Sequence, residues 1–280
     1  MQSKLHKWNA TYNAISALHP LDAQLLNHVQ YSIPLEREPY ATIGSSLNIA
    51  TDEVIMRLNQ LKASGFIRTI SGIFDASRLG YQTMLVAMAV PDSKLDDAAI
   101  IINAHSGVSH NYARNAEFNL WFTLTVPRTE NLTQVVSKLA EACNATDWLL
   151  LPTLRRFKIG VALDAVGGRG NIFEGTDASS KPTRPITDED VQCICLLQRE
   201  FPIALRPYDE LARSIGKTYE WLLERAQLLS SEGRLRRIAA IVRHRKLGYN
   251  TNAMVVWAVP DELVEQVGRK LASFPQVSHC

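Results

Sequence analysis

Long hydrophobic runs are missing from this sequence. No stretch of about 18 uncharged apolar residues occurs, so we expect no membrane-spanning helix. The N-terminal segment carries Lys4, His6 and Lys7 but no apolar core, which argues against a secretory signal. The sequence therefore predicts a cytoplasmic protein.

Cysteine is scarce, and its spacing excludes the usual cysteine-based sites. The four cysteines form no CxxC pair and no disulfide framework. Cys193 and Cys195 are two residues apart on a predicted helix, which points their side chains in different directions. No pyridoxal, thiamine or nicotinamide signature is present either. We therefore expect no metal site and no cofactor.

A strong excess of one charge is also missing, since the chain has 30 basic and 28 acidic side chains. A dedicated nucleic-acid binder usually shows a clearer basic excess. The chain is 46% hydrophobic and 21% charged, with 14 glycines and 12 prolines, which excludes collagen-like and disordered classes. Its 280 residues predict at least two domains.

An internal repeat organises the chain. Three segments recur at a spacing of 168 residues and two more at 169, and one inserted residue explains the change. Five matches in one register indicate a duplication. The matching segments are Pro39–Tyr40 with Pro207–Tyr208, Gly65–Arg68 with Gly233–Arg236, Leu79–Tyr81 with Leu247–Tyr249, Val90–Asp92 with Val259–Asp261, and Val108–His110 with Val277–His279.

The first part of each copy has the pattern of a winged helix-turn-helix. In copy one, apolar residues at helical spacing predict helices over 21–31, 40–47 and from Thr51, which we expect to be an N-cap. The buried stripe of the third helix is expected to consist of Val54, Ile55, Leu58 and Leu61. Gly65 ends the third helix, and residues 66–70 lead into a short β-wing. Copy two repeats the pattern from Thr187 to about Val242.

The second part of copy one reads βαββαβ, which is typical of a ferredoxin-like antiparallel sheet with both helices on one face. The predicted strands cover 81–90, 107–112, 118–126 and 148–159, and the helices cover 92–104 and 130–143. Copy two supplies the first strand, the helix and the start of the next strand. About 45 to 50 residues of its sheet are missing by comparison with copy one. A natural half-domain would leave an open sheet edge, so we expect the sequence to be a shortened form of a longer chain.

These patterns predict an α+β fold in five parts. Residues 1–76 and 187–244 are the winged helix-turn-helix domains, 77–160 the ferredoxin-like domain, and 245–280 the start of a second one. Between the copies, 161–186 form a linker because glycine, serine and proline are frequent there. The glycine run Gly167–Gly170 lacks the spacing of a phosphate-binding loop.

This plan is that of the Lrp/AsnC transcription regulators, so DNA binding is the first function to consider. The predicted recognition helix argues against it, because Asp52 and Glu53 occupy the turn that must approach the phosphates. The corresponding helix of copy two, from Thr218 to Arg225, is no more basic. A regulator that senses heme or an amino acid remains the alternative function.

Three segments resemble a more specific family. His110–Arg114 (HNYAR), Asn119–Thr123 (NLWFT) and Leu151–Ile159 (LPTLRRFKI), with the Leu-Gly-Tyr turns, closely resemble the siroheme decarboxylases. Those are Lrp-like proteins of the heme d1 and alternative heme pathways, often working as pairs of related subunits. The resemblance covers nearly all of copy one and copy two up to its end. Copy two departs from it, since Cys280 stands where copy one has Asn111.

The resemblance implies a carboxy-lyase that removes two acetate carboxyl groups of siroheme, giving didecarboxysiroheme. It also implies a partner for each half, either the second half-domain or a homologous subunit. The iron comes with the substrate, so no cofactor is needed. A non-catalytic tetrapyrrole-binding chain, whose active companion is another protein, is a third possibility.

Strand alternation predicts where the substrate-binding residues lie. In the strand over 118–126, Phe122 and Leu124 are expected to face the helix-covered core. Asn119 and Trp121 fall on the opposite face of that strand, and Arg156 and Lys158 follow the same pattern. His279 is the copy-two counterpart of His110. These five positions are the expected binding residues.

The catalytic residues are expected in His110–Arg114. His110, Tyr112 and Arg114 share one side of a regular strand, although Val108 has the same parity and a bulge is therefore expected. We assign His110 as a general acid, Tyr112 as its aide or a second proton donor, and Arg114 to the remaining carboxylates. Alternatively, His110 ligates the substrate iron.

Overall fold

The computed structural model describes residues 18–153, 155–158, 160, 162–167, 184–250 and 253–280. The interpretations of residues 1–10 and of the linker from position 168 to 183 lie outside the described residues. The chain divides into two compact units, one of residues 75–155 and one of the residues before and after it. Within the described part, no helix is long and apolar enough to cross a membrane.

The first winged helix-turn-helix begins with three helices. They are α1 (Pro20–Tyr31), α2 (Pro39–Leu47) and α3 (Thr51–Ala63), followed by strand β1 (Ile67–Phe74). A proline occupies the first turn of α1 and of α2, where its missing N–H costs nothing. Val54, Leu58 and Leu61 of the predicted stripe of α3 are buried, whereas Ile55 is half-buried. The N-cap prediction is wrong, because Ala50 precedes the helix and Thr51 is its first residue.

The unit of residues 75–155 is the predicted ferredoxin-like domain. Its elements are β2 (Tyr81–Ala89), α4 (Leu95–Ala104), β3 (Val108–Ala113), β4 (Leu120–Pro127), α5 (Leu132–Ala142) and β5 (Asp147–Leu151). The strands form one antiparallel sheet in the order β3-β4-β2-β5. Alternate residues of β4 are buried with residues of α4 and α5, namely Leu120, Phe122, Leu124 and Val126. Both helices therefore cover one face of the sheet, and within the described residues of this unit no helix covers the other, open face.

The second winged helix-turn-helix repeats the first. It consists of α6 (Asp188–Leu197), α7 (Pro207–Arg213), α8 (Tyr219–Ser231) and β6 (Leu235–Val242). Its predicted start at Thr187 is confirmed by a capping box, in which Thr187 and Asp190 satisfy each other's backbone N–H groups. Thr218 caps α8 by accepting a bond from the Trp221 N–H.

The wings differ from the prediction of one wing per copy. Strand β1 pairs antiparallel with β6, so the two copies share a single two-stranded sheet. A short strand with a free edge is marginal by itself, and pairing with its counterpart satisfies that edge. The two winged domains are thereby joined within one unit.

The last predicted strand of copy one, over 148–159, is interrupted. Strand β5 ends at Leu151, and the N–H groups of Phe157 and Lys158 donate instead to the Cys280 carbonyl. Helix α9 (Val264–Ala272) packs on this segment, since a side chain on Gly268 would overlap the Phe157 ring. Leu154 and Ile159 lie outside the described residues. The end of copy one thus pairs with copy two.

Two other segments differ from the sequence interpretation. Residues 162–167, expected to start a flexible linker, are anchored on α1, where Gln30 exchanges hydrogen bonds with Leu163 and Asn27 bonds Asp164 and Ala165. The predicted first strand of copy two has no regular structure over 253–260. Its counterpart β2 is bonded on both sides, by β4 and β5, and the described part of copy two contains no such neighbours.

Candidate active site

The open face of the sheet in residues 75–155 carries the His110 segment. Val108 of β3 pairs with Leu124, whereas His110 pairs with Thr123, so the register shifts by one residue between them. This confirms the expected bulge. Because of it, Val108 packs against the core and His110 lies on the open face with Thr123.

Paired side chains form a row across this face. Tyr112 lies opposite Trp121, which lies opposite Ala87, which in turn lies opposite Leu149. Ala87 is fully buried, while Tyr112 is 45% and Leu149 is 41% exposed. The row therefore has the exposed side chains of Tyr112 and Leu149 at its ends, with Trp121 and the buried Ala87 between them.

The imidazole of His110 is held from one side only. Its Nδ1 lies 3.0 Å from the Ser109 hydroxyl, and within the described residues Nε2 makes no hydrogen bond. The side chain is exposed. Nε2 is therefore available to a bound molecule, and Ser109 restricts the rotation of the ring.

Tyr112 and Arg114 form a second group beside His110. The rings of His110 and Tyr112 are nearly parallel, at 24°, with centroids 6.3 Å apart. The Arg114 guanidinium lies 4.8 Å from the Tyr112 ring centroid and donates to the Ala113 carbonyl at 3.2 Å. An imidazole, a phenol and a guanidinium thus lie along one strand.

The part of Trp121 that is available on the open face is its aromatic ring, not its indole N–H. The indole N–H donates to the Phe118 carbonyl at 2.6 Å, which fixes the ring on the open face. The side chain is half-buried. An aromatic plane with its polar atom already bonded suits stacking against a flat apolar molecule.

Asn119 does not fit its predicted binding role. Its side chain is 6% exposed. The side-chain amide accepts a hydrogen bond from the Val90 N–H at 2.9 Å and donates one to the Val90 carbonyl at 2.7 Å. Asn119 precedes β4, so strand alternation does not place it with Trp121. Its role is to fix the end of β2, and the binding assignment is corrected accordingly.

The other three predicted binding residues lie in the second unit. The ammonium group of Lys158 donates to the Phe274 carbonyl at 3.0 Å, which uses one of its three N–H donors. Arg156 and His279 are exposed. His279 lies 3.0 Å from the Ser278 hydroxyl through Nδ1, the same contact that His110 makes with Ser109.

Two contributors to the site were missed in the sequence. A serine precedes the histidine in both copies, so the repeat itself contained the signal for Ser109 and Ser278. Ala87 carried no such signal, because only strand pairing shows that it lies between Trp121 and Leu149.

Metal ligands do not cluster in the described residues, where no group of three His, Cys, Asp or Glu side chains is placed to hold an ion. The four cysteines are free thiols. Burial raises the pKa of the Cys193 thiol to about 12, which disfavours the thiolate that metals bind.

Two family models match this chain. The Siroheme decarboxylase NirDL-like HTH domain matches residues 22–68 and 190–236, and the AsnC-like ligand binding domain matches 78–158 and 246–280. Each model therefore matches twice, once in each copy.

Known relatives agree with the family models. The chain is 39% identical over 258 residues to the siroheme decarboxylase of Hydrogenobacter thermophilus, covering 92% of this chain and 77% of that protein. It is 36% identical over 148 residues to the siroheme decarboxylase alpha subunit of Desulfovibrio desulfuricans, covering 53% of this chain and 85% of the subunit.

A solved structure resembles the whole fold. The siroheme decarboxylase NirDL, crystallised in complex with an iron-uroporphyrin III analogue, matches with a TM-score of 0.71 at 34% identity. The match covers 94% of this chain and 76% of that one.

Proposed function

The chain belongs to the siroheme decarboxylase family, and from this premise we propose that it removes the carboxyl groups of two ring acetates of siroheme to give didecarboxysiroheme. The observation that carries the proposal is the exposed His110 beside Tyr112 on the open sheet face. A proton donor with a free ring nitrogen at an aromatic surface is what this reaction needs.

The open face suits the shape of the substrate. Siroheme is a large flat macrocycle with carboxylates at its rim, so it needs an apolar floor and cations at the edge. The Trp121 ring, with Tyr112 and Leu149 in the same row, provides the apolar floor. Arg114 at the end of β3 provides a cation for one carboxylate.

The reaction breaks the bond between the acetate methylene carbon and the carboxylate carbon. Carbon dioxide leaves, and the electron pair of that bond passes to the macrocycle. The methylene carbon then gains one proton and becomes a methyl group, with His110 as the donor and Tyr112 as its aide.

Arg114 binds a carboxylate that remains, not the one that departs. Pairing with a cation stabilises a carboxylate in the ground state, whereas desolvation beside an apolar wall makes its loss easier. Holding a neighbouring carboxylate fixes which acetate faces His110. Ser109 restricts the imidazole so that Nε2 faces the bound molecule.

The enzyme needs no resident cofactor in this proposal, since the iron is part of the substrate. The alternative role of His110, ligation of that iron, uses the same free Nε2. Replacement by Ala separates the two roles, because an iron ligand would be needed for binding and an acid only for turnover.

DNA binding is disfavoured by the ion pairs of the recognition-type helices. Arg57 of α3 is bonded to Glu53 and Asp22, and Arg225 of α8 to Glu189. Cations already paired with carboxylates contribute little to phosphate binding. The two winged domains pair with each other through β1 and β6, which supports the second half as the partner of the first.

Anaerobic incubation of the protein with siroheme, followed by mass spectrometry, tests the proposal. Two successive losses of the mass of carbon dioxide are expected. Tight binding without mass loss would favour a non-catalytic tetrapyrrole-binding chain. Salt-sensitive binding of duplex DNA without turnover would favour the regulator.

A further inference from the structure

The two winged domains are related by a pseudo-twofold axis through the shared sheet. Ser71 of β1 pairs directly with Ala239 of β6, and the two positions are 168 residues apart, the spacing of the repeat. A residue that pairs with its own counterpart lies on the symmetry axis of an isologous contact. The interface between the copies is therefore built like that of a homodimer.

Backbone and hydroxyl contacts obey this symmetry. The Tyr40 hydroxyl donates to the Pro202 carbonyl at 3.0 Å, and the Tyr208 hydroxyl donates to the Pro34 carbonyl at 2.8 Å. Both pairs of counterparts are again 168 residues apart. Such contacts would form equally well between two copies of the first winged domain, so they do not select the partner.

The main-chain bonds at the ends of the sheet are equally symmetric. The Ile33 N–H donates to the Ile238 carbonyl at 2.7 Å, and the Phe201 N–H donates to the Ile70 carbonyl at 2.8 Å. Backbone groups carry no information about sequence. Some other feature must therefore prevent one winged domain from pairing with its own kind.

Charged contacts break the symmetry. Glu38 and Arg206 are counterparts, yet they carry opposite charges and form an ion pair at 2.8 Å. Arg37 donates twice to Asp209, at 2.8 and 3.2 Å, although the counterparts of these two residues are Leu205 and Ala41.

We propose that these ion pairs select the partner, so that the first winged domain binds the second and not another copy of itself. Pairing of like domains would place Glu38 opposite Glu38, or Arg206 opposite Arg206, and would remove the partner of Arg37 and of Asp209. Each exposed pair contributes little by itself. Selection comes from the difference in electrostatic energy between two pairings. The charges attract when the first winged domain meets the second, and they repel when two identical winged domains meet.

The interface therefore fits a partner with the charges of the second winged domain, in the same chain or in another chain. A fused chain needs this selection. Without it, the first winged domains of two chains would pair with each other at high concentration, and the chains would associate. The inference does not depend on the reaction proposed for the open face of the sheet.

A disulfide assay on the full chain tests the proposal. Cysteines are introduced on the axis by Ser71→Cys and Ala239→Cys, the protein is refolded from denaturant at rising concentration, and the linked peptides are identified by mass spectrometry. We expect links between position 71 and position 239 only. A second variant combines these cysteines with Glu38→Gln, Arg206→Gln and Asp209→Asn. It is expected to form at least about five times more disulfides between position 71 of one chain and position 71 of another. A loss of about 1 kcal/mol in selectivity produces this ratio.

Equal amounts of 71-to-71 links in the charged and neutralised variants would overturn the proposal. If Ala239→Cys prevents folding, Ser71→Cys alone reports the same 71-to-71 links as covalent dimers. A charge-reversal cycle provides an independent measurement, because Glu38→Arg and Arg206→Glu should each lower the thermal midpoint and their combination should restore it. Additive losses in the double variant would also contradict the proposal.

Discussion

His110 of β3 is paired with Thr123 of β4, which puts its imidazole on the open face of the sheet. Without the bulge that precedes it, His110 would keep the parity of Val108 and lie under the helices. One extra residue in the strand therefore decides whether this histidine is structural or accessible to substrate.

Replacing His110 with Ala should leave siroheme binding largely intact and slow decarboxylation by about 100-fold or more, since a positioned acid contributes about that much. Binding is measured by spectral titration under anaerobic conditions and turnover by product mass. His28→Ala, which removes an exposed histidine from α1, is the matched control and should change neither. Turnover that survives the loss of His110 would eliminate its acid role, and loss of binding would support iron ligation.

Tyr112→Phe should slow turnover less than the His110 substitution, by about 10-fold, because it removes only the hydroxyl of the aide. The ring and its contact with Arg114 remain. Tyr112→Ala should additionally weaken substrate binding, since the Arg114 guanidinium loses its aromatic support. The two variants are compared by single-turnover rate and by titration. Identical behaviour of the two variants would indicate that the ring contributes nothing beyond its hydroxyl.

Asn119→Ala should destabilise the protein by about 2 kcal/mol, because the N–H and the carbonyl of Val90 both lose their partner in a buried place. The measurement is urea denaturation followed by fluorescence. Asn59→Ala is the control, since its amide bonds only the Ile55 carbonyl within the exposed side of α3. A fully stable Asn119 variant with impaired substrate binding would restore the original binding assignment.

Asp190→Asn should destabilise the second winged domain by about 3 kcal/mol near neutral pH, because Arg184 is then left beside a neutral group. Burial raises the pKa of Asp190, but hydrogen bonds from Arg184 and from Thr187 outweigh burial and hold the pKa well below its ordinary value. The stabilisation is therefore complete above the unfolded pKa and is lost as the pH falls.

Thermal midpoints between about pH 7 and pH 2 check this prediction. The difference between the native protein and the Asp190→Asn variant should shrink below about pH 4. Asp188→Asn, at an exposed position in the same first turn, should show no comparable effect at any pH. A difference that stays constant with pH would show that the charge of Asp190 is not responsible.

Much of the architecture followed from local patterns. Apolar spacing predicted the buried stripe of Val54, Leu58 and Leu61, and strict alternation predicted that Phe122 and Leu124 face the helices. These patterns are reliable because burial of apolar surface repeats with the period of the element. The Asn119 prediction failed because the residue precedes its strand, where alternation no longer applies.

By itself, the sequence determined the duplication and the order of helices and strands, since repeats and periodicity can be read along the chain. It also predicted the His110 segment as the candidate chemical centre from its residue types. Only the tertiary structure decided that β1 pairs with β6, that Lys158 bonds the Phe274 carbonyl, and that Ala87 lies between Trp121 and Leu149. Those relationships join residues far apart in the chain. The free energy that selects them comes from hydrogen bonds and packing that exist only once the copies meet.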